Sequence, residues 1–525
     1  MILRSILRLL GKGWPESWHF QISRASMVIK LLVACVLVVS RLISPAFARK
    51  IPLLSSGISL LSSLETLHRT EPFVPAGKEL LKESNTCNLG RKSFDEIVVG
   101  SGPGGAIAAY LSSLSGREVL LIEEGRSLSS YPHHSLAQLA TDFRSGGQEM
   151  IVSLPPIPYA QGQVLGGSSE INSGLYHRLP NSRLPTWLNV AQIDDLDWSK
   201  AEVEVESLIG VYSQNDESLG VYRNSPMKAA ASAMGWTCQQ IPRWRKYSGS
   251  NFEHRGMFVS LLANPPSGLA ILSQHRAHKI ISKMGANRVV VRGTSCEHTF
   301  FANRVTVSGG TVETPRLLVR SGLLTTRQLS FGFHAMSRVL ATFGSEVNDL
   351  HDIDPHQAWT KDYSSKFGIS VSTLGFLRAT ENALGVKNPV SAHNALVFYA
   401  SNAMDLNGKF LRFGNQIYPS YRFSSLERAR IDESTSLLIE GLQKSGARNI
   451  YRKAEGPSLS TVHIFGSLPL GKSSLDHVGT LSPLGYPSIR VCDASILPSA
   501  PLVNPQGPLM HLAYALTQRW LKNAY

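Results

Sequence analysis

The chain has 525 residues, of which 43% are hydrophobic and 17% charged. That balance excludes a disordered polypeptide and exceeds one ordinary core, so two domains, or one with a large insertion, are expected. The formal net charge is +14, but residues 1–50 hold eight Lys/Arg against the single acid Glu16, which places half of the excess in that tail. The remaining body is mildly basic and has no Lys/Arg run interleaved with aromatics, so nucleic acid is not an expected partner. Five scattered cysteines without a CxxC pair argue against a disulfide framework, and no metal site is expected.

Residues 1–26 are basic and irregular. From Met27 a lysine, the apolar run Leu31–Val39 and Ala46-Phe47-Ala48 ahead of Arg49-Lys50 have the layout of an export signal cut after Ala48. Arg41 interrupts the run, which is shorter than the roughly 20 apolar residues of a membrane span. Export, membrane association and a cytoplasmic location all stay open. Residues 51–93 form an N-terminal extension, with short helical patterns at Leu60–Leu67 and Lys78–Leu81 and no identifiable chemistry.

Phe94–Glu124 reads as strand, glycine turn, helix, strand. Ile97–Val99 is an apolar β-branched run, Gly100-Ser101-Gly102-Pro103-Gly104-Gly105 follows at once, Ala106–Leu114 is helix-forming, and Val119–Ile122 is a second buried strand. In such a loop the first glycine permits the turn and the second lets backbone approach a pyrophosphate. The third lets helix and strand pack closely, with the helix N-terminus facing the phosphates. Glu123 lies 18 residues beyond Gly105, where a carboxylate accepts hydrogen bonds from a ribose, with Glu124 beside it. Dinucleotide binding is the expectation; a purely structural strand–turn–helix is the alternative. The motif does not separate FAD from NAD.

His133 and His134 are most simply loop histidines. Gly166-Gly167-Ser168-Ser169 is a second loop of close backbone approach, placed to cover a flat cofactor ring, with an ordinary surface turn as the alternative. Residues 186–255 alternate charged helical segments with loops. Ala270–Gly293 reads as two strands. Val305–Val307, Gly309-Gly310 and a helix opened by Thr314-Pro315 repeat the strand–glycine–helix grammar without a second nucleotide motif. Strand-like stretches at Gly368–Leu377 and Ala395–Ser401 and a long helix over Ser424–Ser445 suggest a separate substrate domain. Near the end come His463, the strand Tyr486–Asp493, and Asn504-Pro505 before a helix over Pro508–Leu521. By themselves His463 reads as structural and Asn504 as a helix cap.

Together these stretches resemble the glucose–methanol–choline (GMC) oxidoreductases, over about residues 94–525 and in the family's order. GSGPGG with Glu123 resembles its FAD fingerprint, GQVLGGSSEIN its flavin loop, VSGGTVETPRLLVRSG its second signature, and HIFGSLPLG, VCDASILP and VNP its C-terminal active-site block. The Asn504 ending looks more like the cholesterol-oxidase and long-chain-alcohol-oxidase branch, which pairs His with Asn. Departures are Ile464 where proline is frequent, Leu470 where methionine is usual, and Gln506 where cholesterol oxidases carry an aromatic. The substrate-domain carboxylate of cholesterol oxidases has no evident counterpart.

The resemblance implies an α/β fold, α+β overall: a Rossmann-like FAD-binding domain (94–185, 256–325 and 456–525) with an inserted antiparallel-sheet substrate domain (186–255 and 326–455). It implies an enzyme oxidising the CH–OH group of an alcohol, such as a sterol or long-chain alcohol, with hydride passing to flavin N5. Oxygen, a quinone or a cytochrome would then reoxidise the flavin. His463 is implied as the base and Asn504 as the group positioning the substrate oxygen. FAD contacts are implied for Gly100, Ser101, Gly102, Pro103, Gly104, Gly105, Glu123, Glu124, Gly166, Gly167, Asn172, Ser173, Gly174, Asp493, Ala494, Asn504 and Pro505. Ile171 falls where covalent members carry the flavin-linking histidine, which implies noncovalent FAD. The alternatives are a desaturase- or isomerase-type FAD enzyme, or a flavoprotein kept only for binding.

Overall fold

The computed structural model describes residues 92–522, except 129–135, 214–219, 249–250, 254–255, 284–285, 294–295, 351–352, 371–372, 454–455 and the single positions 415, 457 and 473. The export-signal reading, the short helices of the extension, and His133 and His134 therefore lie outside the described residues.

Five parallel strands form the first sheet, in the order Leu269–Leu272, Val119–Ile122, Ser93–Val99, Glu297–Val307 and Tyr486–Val491, with Thr480–Leu481 antiparallel at the edge. Their apolar runs are buried, as parallel strands covered on both faces require. Val99 is in register with Ile122 and with Val307, Ile122 with Leu272, and Val307 with Val491. The carboxyl ends of the strands are thus aligned at one rim, where the chain leaves as Gly100, Glu123, Ser308 and Cys492-Asp493. Loops at that rim are where open α/β sheets hold ligands.

The second sheet is antiparallel, in the order Asn449–Tyr451, Gly332–Thr342, Ala395–Ala403, Lys366–Ile369, His356–Trp359 and Thr237–Gln240. Strand Gly332–Thr342 also pairs with Leu459–Ser460 and Ile464–Phe465. This is the expected combination of a Rossmann-like domain with an antiparallel substrate sheet. Val339, Phe367, Phe398 and Ala400 on one face pack with Leu438 and Leu442 of helix Ser425–Lys444. Ser337 points the same way, to the Thr435 hydroxyl at 2.6 Å. Side chains alternate along a strand, so His334, Met336 and Arg338 share the opposite face.

Three local expectations are corrected. Ala270–Gly293 holds three strands instead of two: Leu269–Leu272 joins the parallel sheet, and Arg276–Lys283 pairs with Ala286–Arg292 as a hairpin. The break falls at Gln274, a non-glycine residue at φ +59°, which composition does not announce. The helix expected to open at Thr314-Pro315 spans Gly310–Arg320, with Pro315 inside it. Asp493 accepts the Gly310 N–H at 2.8 Å and also bonds the Thr314 hydroxyl, which fixes the earlier start. The Gly368–Leu377 stretch is strand only to Ile369; Leu374–Leu384 is a helix closed by Gly385 at φ +73°. Among the described cysteines Cys492 is a buried free thiol and Cys296 is disulfide-bonded. Among the described residues no His/Cys/Asp/Glu group could hold a metal and no helix is long and apolar enough to cross a membrane.

Candidate active site

A cavity of about 610 Å³ runs from the rim of the parallel sheet to the antiparallel sheet. At the first end the glycine loop shows a division of labour. Gly100 sits at φ +101°, and a Cβ there would lie 2.2 Å from the Ser308 carbonyl oxygen. A Cβ at Gly105 would meet the Gly100 carbonyl at 2.0 Å, so this glycine sets how closely helix Pro103–Leu114 packs on its strand. Gly102 lines the cavity, and a Cβ there would meet nothing within 4 Å. That helix has no acidic residue in its first turn and no side-chain cap, so its N-terminal N–H groups carry no competing carboxylate. The open space over Gly102 and the bare helix terminus fit a pyrophosphate.

Glu123, at the end of Val119–Ile122, accepts from the Ser101 N–H at 2.9 Å, the Ser101 hydroxyl at 2.6 Å and the Gly125 N–H at 2.8 Å. It braces the glycine loop and still lines the cavity. Burial pushes its carboxyl up, while those donors pull the other way. Glu124 is turned into an ion network instead, 2.9 Å from Arg144 and 3.6 Å from Arg276. Glu313 meets Arg276 at 2.9 Å and also bonds Arg316; despite burial, Arg144, Arg316 and Arg276 hold its carboxyl far below the usual range.

The second glycine loop is tied to the first. The Gly166 N–H donates to the Ser101 hydroxyl at 2.8 Å, and a Cβ at Gly167 would lie 2.6 Å from the Gly102 Cα. Beyond it Ile171 is buried against Phe143 and Val164 and offers no nucleophile for a covalent flavin link. Asn172 donates to Gln506 at 2.6 Å and accepts the Gly174 N–H at 2.9 Å. Asn172, Ser173, Gly174, Asp493, Ala494 and Pro505 all line the cavity. Asp493 accepts the Ser495 N–H at 2.8 Å, and burial raises its carboxyl against these donors.

At the other end stand His463 and Asn504, both on the cavity wall. His463 immediately precedes Ile464–Phe465, whose pairing with Gly332–Thr342 brings it beside His334: the His334 N–H reaches the His463 carbonyl at 3.1 Å, and the two Nδ1 atoms are 3.1 Å apart. Burial and the nearby His334, Lys366 and His177 hold His463 well below the usual imidazole range, so it is neutral at physiological pH. Asn504 precedes helix Gln506–Lys522, and its Oδ1 accepts from Lys366 Nζ at 2.6 Å. Lys366 is buried, which lowers its ammonium to about 7.

Sequence reasoning did not single out His334, Arg338, Lys366, Gln357 or Tyr399. All five project from the antiparallel sheet, and Gln357 donates to the Tyr399 hydroxyl at 2.9 Å. The available signal was the alternation His334–Met336–Arg338 within an otherwise apolar strand, since charged groups are seldom buried without a task. The carboxylates that line the cavity, Glu123, Glu124, Glu313 and Asp493, all lie outside the antiparallel sheet.

Family models described as GMC oxidoreductase match residues 139–336 and 432–513. An uncharacterized GMC-type oxidoreductase of Sinorhizobium fredii is 25% identical over 493 residues, covering 82% of this chain and 95% of its own. A long-chain-alcohol oxidase of Arabidopsis thaliana is 22% identical over 521 residues, covering 82% of this chain and 68% of its own. Among solved structures, pyridoxine 4-oxidase from Mesorbium loti shares the fold at TM-score 0.64 and 16% identity, over 82% of this chain and 100% of that one. The pyrophosphate-compatible loop, the unreactive Ile171 and these matches agree: the chain belongs to the GMC oxidoreductase family, enzymes that oxidise alcohols with FAD, and its FAD is bound noncovalently.

Proposed function

We infer that the chain removes hydride from the carbinol carbon of an alcohol while His463 takes the hydroxyl proton, in the branch of the long-chain-alcohol and cholesterol oxidases. FAD, when bound, supplies the hydride acceptor. The observation that carries this reading is that His463 and Asn504 face the same cavity that passes Gly102 and Glu123. The His/Asn pairing, and the likeness to a relative named as a long-chain-alcohol oxidase, favour the branch. Family membership favours oxidation over a desaturase or isomerase reaction.

The residues constrain the proton path. A neutral imidazole carries one N–H. For His463 to accept a proton at Nε2, its Nδ1 must hold the hydrogen and donate to His334 Nδ1, 3.1 Å away. His334 then acts as a positioning residue that selects the reactive tautomer of its neighbour. Lys366 does the same for Asn504. An ammonium only donates, so the Asn504 oxygen must face Lys366 and its amide N–H groups must face the cavity. There they donate to the substrate oxygen as negative charge develops on it. Among the described residues the antiparallel sheet presents Arg338 to the cavity and no carboxylate.

The test is an anaerobic screen of the FAD-loaded protein against long-chain alcohols, sterols and sugars, following loss of flavin absorbance. Bleaching by long-chain alcohols or sterols is expected; bleaching by sugars alone would remove the branch assignment, and no bleaching by any alcohol would remove the reaction.

A further inference from the structure

Arg338 lies on the cavity wall, on the sheet face shared with His334 and Met336, directly across the ladder from Tyr399. Its Nε is buried without a hydrogen-bond partner, and among the described residues no carboxylate pairs with the guanidinium. Its one close neighbour of note is the Phe376 ring, 5.1 Å from Cζ. Burial lowers the guanidinium only to about 10, so it stays charged at neutral pH. An unpaired buried cation is costly unless something anionic completes it. The second cation on this face, Lys366, is already directed at Asn504.

We propose that Arg338 is the anchor for an anionic group on the substrate, so that the alcohol oxidised here carries a carboxylate or phosphate at the end remote from its hydroxyl. The proposal rests on the alcohol-oxidation reading above and adds the substrate class. The FAD phosphates do not account for Arg338, because the pyrophosphate-compatible loop at Gly102 belongs to the other sheet. Spacing sets the shape of the substrate. Arg338 is four residues along the strand from His334, about 13 Å at the usual rise, and His334 touches His463. The cavity wall on this side includes the apolar Met336, Ile353 and Ile369, and its polar Gln357 and Tyr399 are bonded to each other. A molecule with an oxyanion at one end, an apolar spacer and a hydroxyl at the other would meet Arg338 and His463 together. The planar fork of arginine pairs with two oxyanion oxygens, which a lysine does not reproduce.

Two readouts separate this proposal from the reading beneath it. The first needs no turnover: octanoate, dodecanoate and dodecyl phosphate are titrated against the FAD-loaded protein, following flavin absorbance and heat. Salt-sensitive binding is expected for at least one of them, weakened about tenfold or more in Arg338→Met and less in Arg338→Lys, the range for a charge-assisted hydrogen bond. Tighter binding of the carboxylates or of the phosphate identifies which oxyanion is read. Absence of binding, or equal binding to wild type and Arg338→Met with FAD content unchanged, overturns the proposal. The second readout compares flavin reduction by ω-hydroxydodecanoate and dodecanol. Preference for the hydroxy acid, lost in Arg338→Met through KM with kcat retained, supports the proposal. Equal use of both, or preference for dodecanol, overturns it. If neither reduces the flavin while dodecanoate still binds through Arg338, the anchor stands and the oxidation reading falls.

Discussion

Lys366 and Asn504 meet at 2.6 Å although 138 positions separate them in the chain. The contact joins the antiparallel sheet to the loop before the last helix, and it fixes which end of the Asn504 amide faces the cavity. Lys366→Met should therefore slow flavin reduction without releasing FAD. A hydrogen bond from a charged donor is worth about 1.5–3 kcal/mol, so the loss should be roughly ten- to hundredfold. Stopped-flow reduction with a saturating alcohol reads it directly. Since burial places the Lys366 ammonium near 7, wild-type reduction should also fall as pH rises through neutrality, and Lys366→Met should lack that step. An unchanged rate and an unchanged pH profile would show that the lysine has no part in orienting Asn504.

His463 should contribute the larger factor. General-base assistance typically gives about 10²–10⁴-fold, and His463→Ala should lose that much reductive rate with FAD still bound. Asn504→Ala should also slow reduction, and by less in the His463→Ala background, because groups acting on one reacting centre are non-additive. His334→Leu should cost about tenfold by releasing the tautomer of His463. Strictly additive losses in the His463/Asn504 double mutant would assign the two residues to separate steps.

Glu123→Ala should weaken FAD binding by about tenfold or more, the equivalent of one lost charge-assisted bond. It removes the carboxylate facing the cavity and also the acceptor of the Ser101 and Gly125 N–H groups. Fluorescence titration of the apoprotein gives the affinity. Should FAD bind as tightly as before, the ribose contact lies elsewhere, and Glu124→Ala is the next variant to measure.

Acid should destabilise the protein beginning near pH 6.5. Burial lowers His177 and His511 to about 3, so the unfolded chain binds their protons first as pH falls. Stability from these groups is present above the unfolded value of about 6.5 and is lost progressively below it, down to about 3. The slope should be about 1.4 kcal/mol per histidine per pH unit. His511 is outside the cavity lining, so His511→Gln should flatten the slope of urea stability between pH 7 and 5 without altering FAD binding. An unaltered slope would mean that His511 is already protonated in the native state.

The nucleotide half of this protein was legible in the sequence because its determinants are local. Gly100, Gly102, Gly105 and Glu123 lie within one strand–helix–strand unit, where the steric need for glycine and the strand period are set by near neighbours. His463 and Asn504 were legible only as parts of a family pattern; nothing local distinguishes a reactive imidazole from a structural one. What the tertiary structure alone decided is the wall opposite them. His334, Arg338 and Lys366 come from strands whose pairing is set by long-range register, and a one-residue slip would turn all three toward the helix-packed face. Propensity cannot choose between those registers. Burial of Val339, Phe367 and Phe398 against helix Ser425–Lys444 does, and it leaves His334, Arg338 and Lys366 on the opposite sheet face, with Arg338 on the cavity wall.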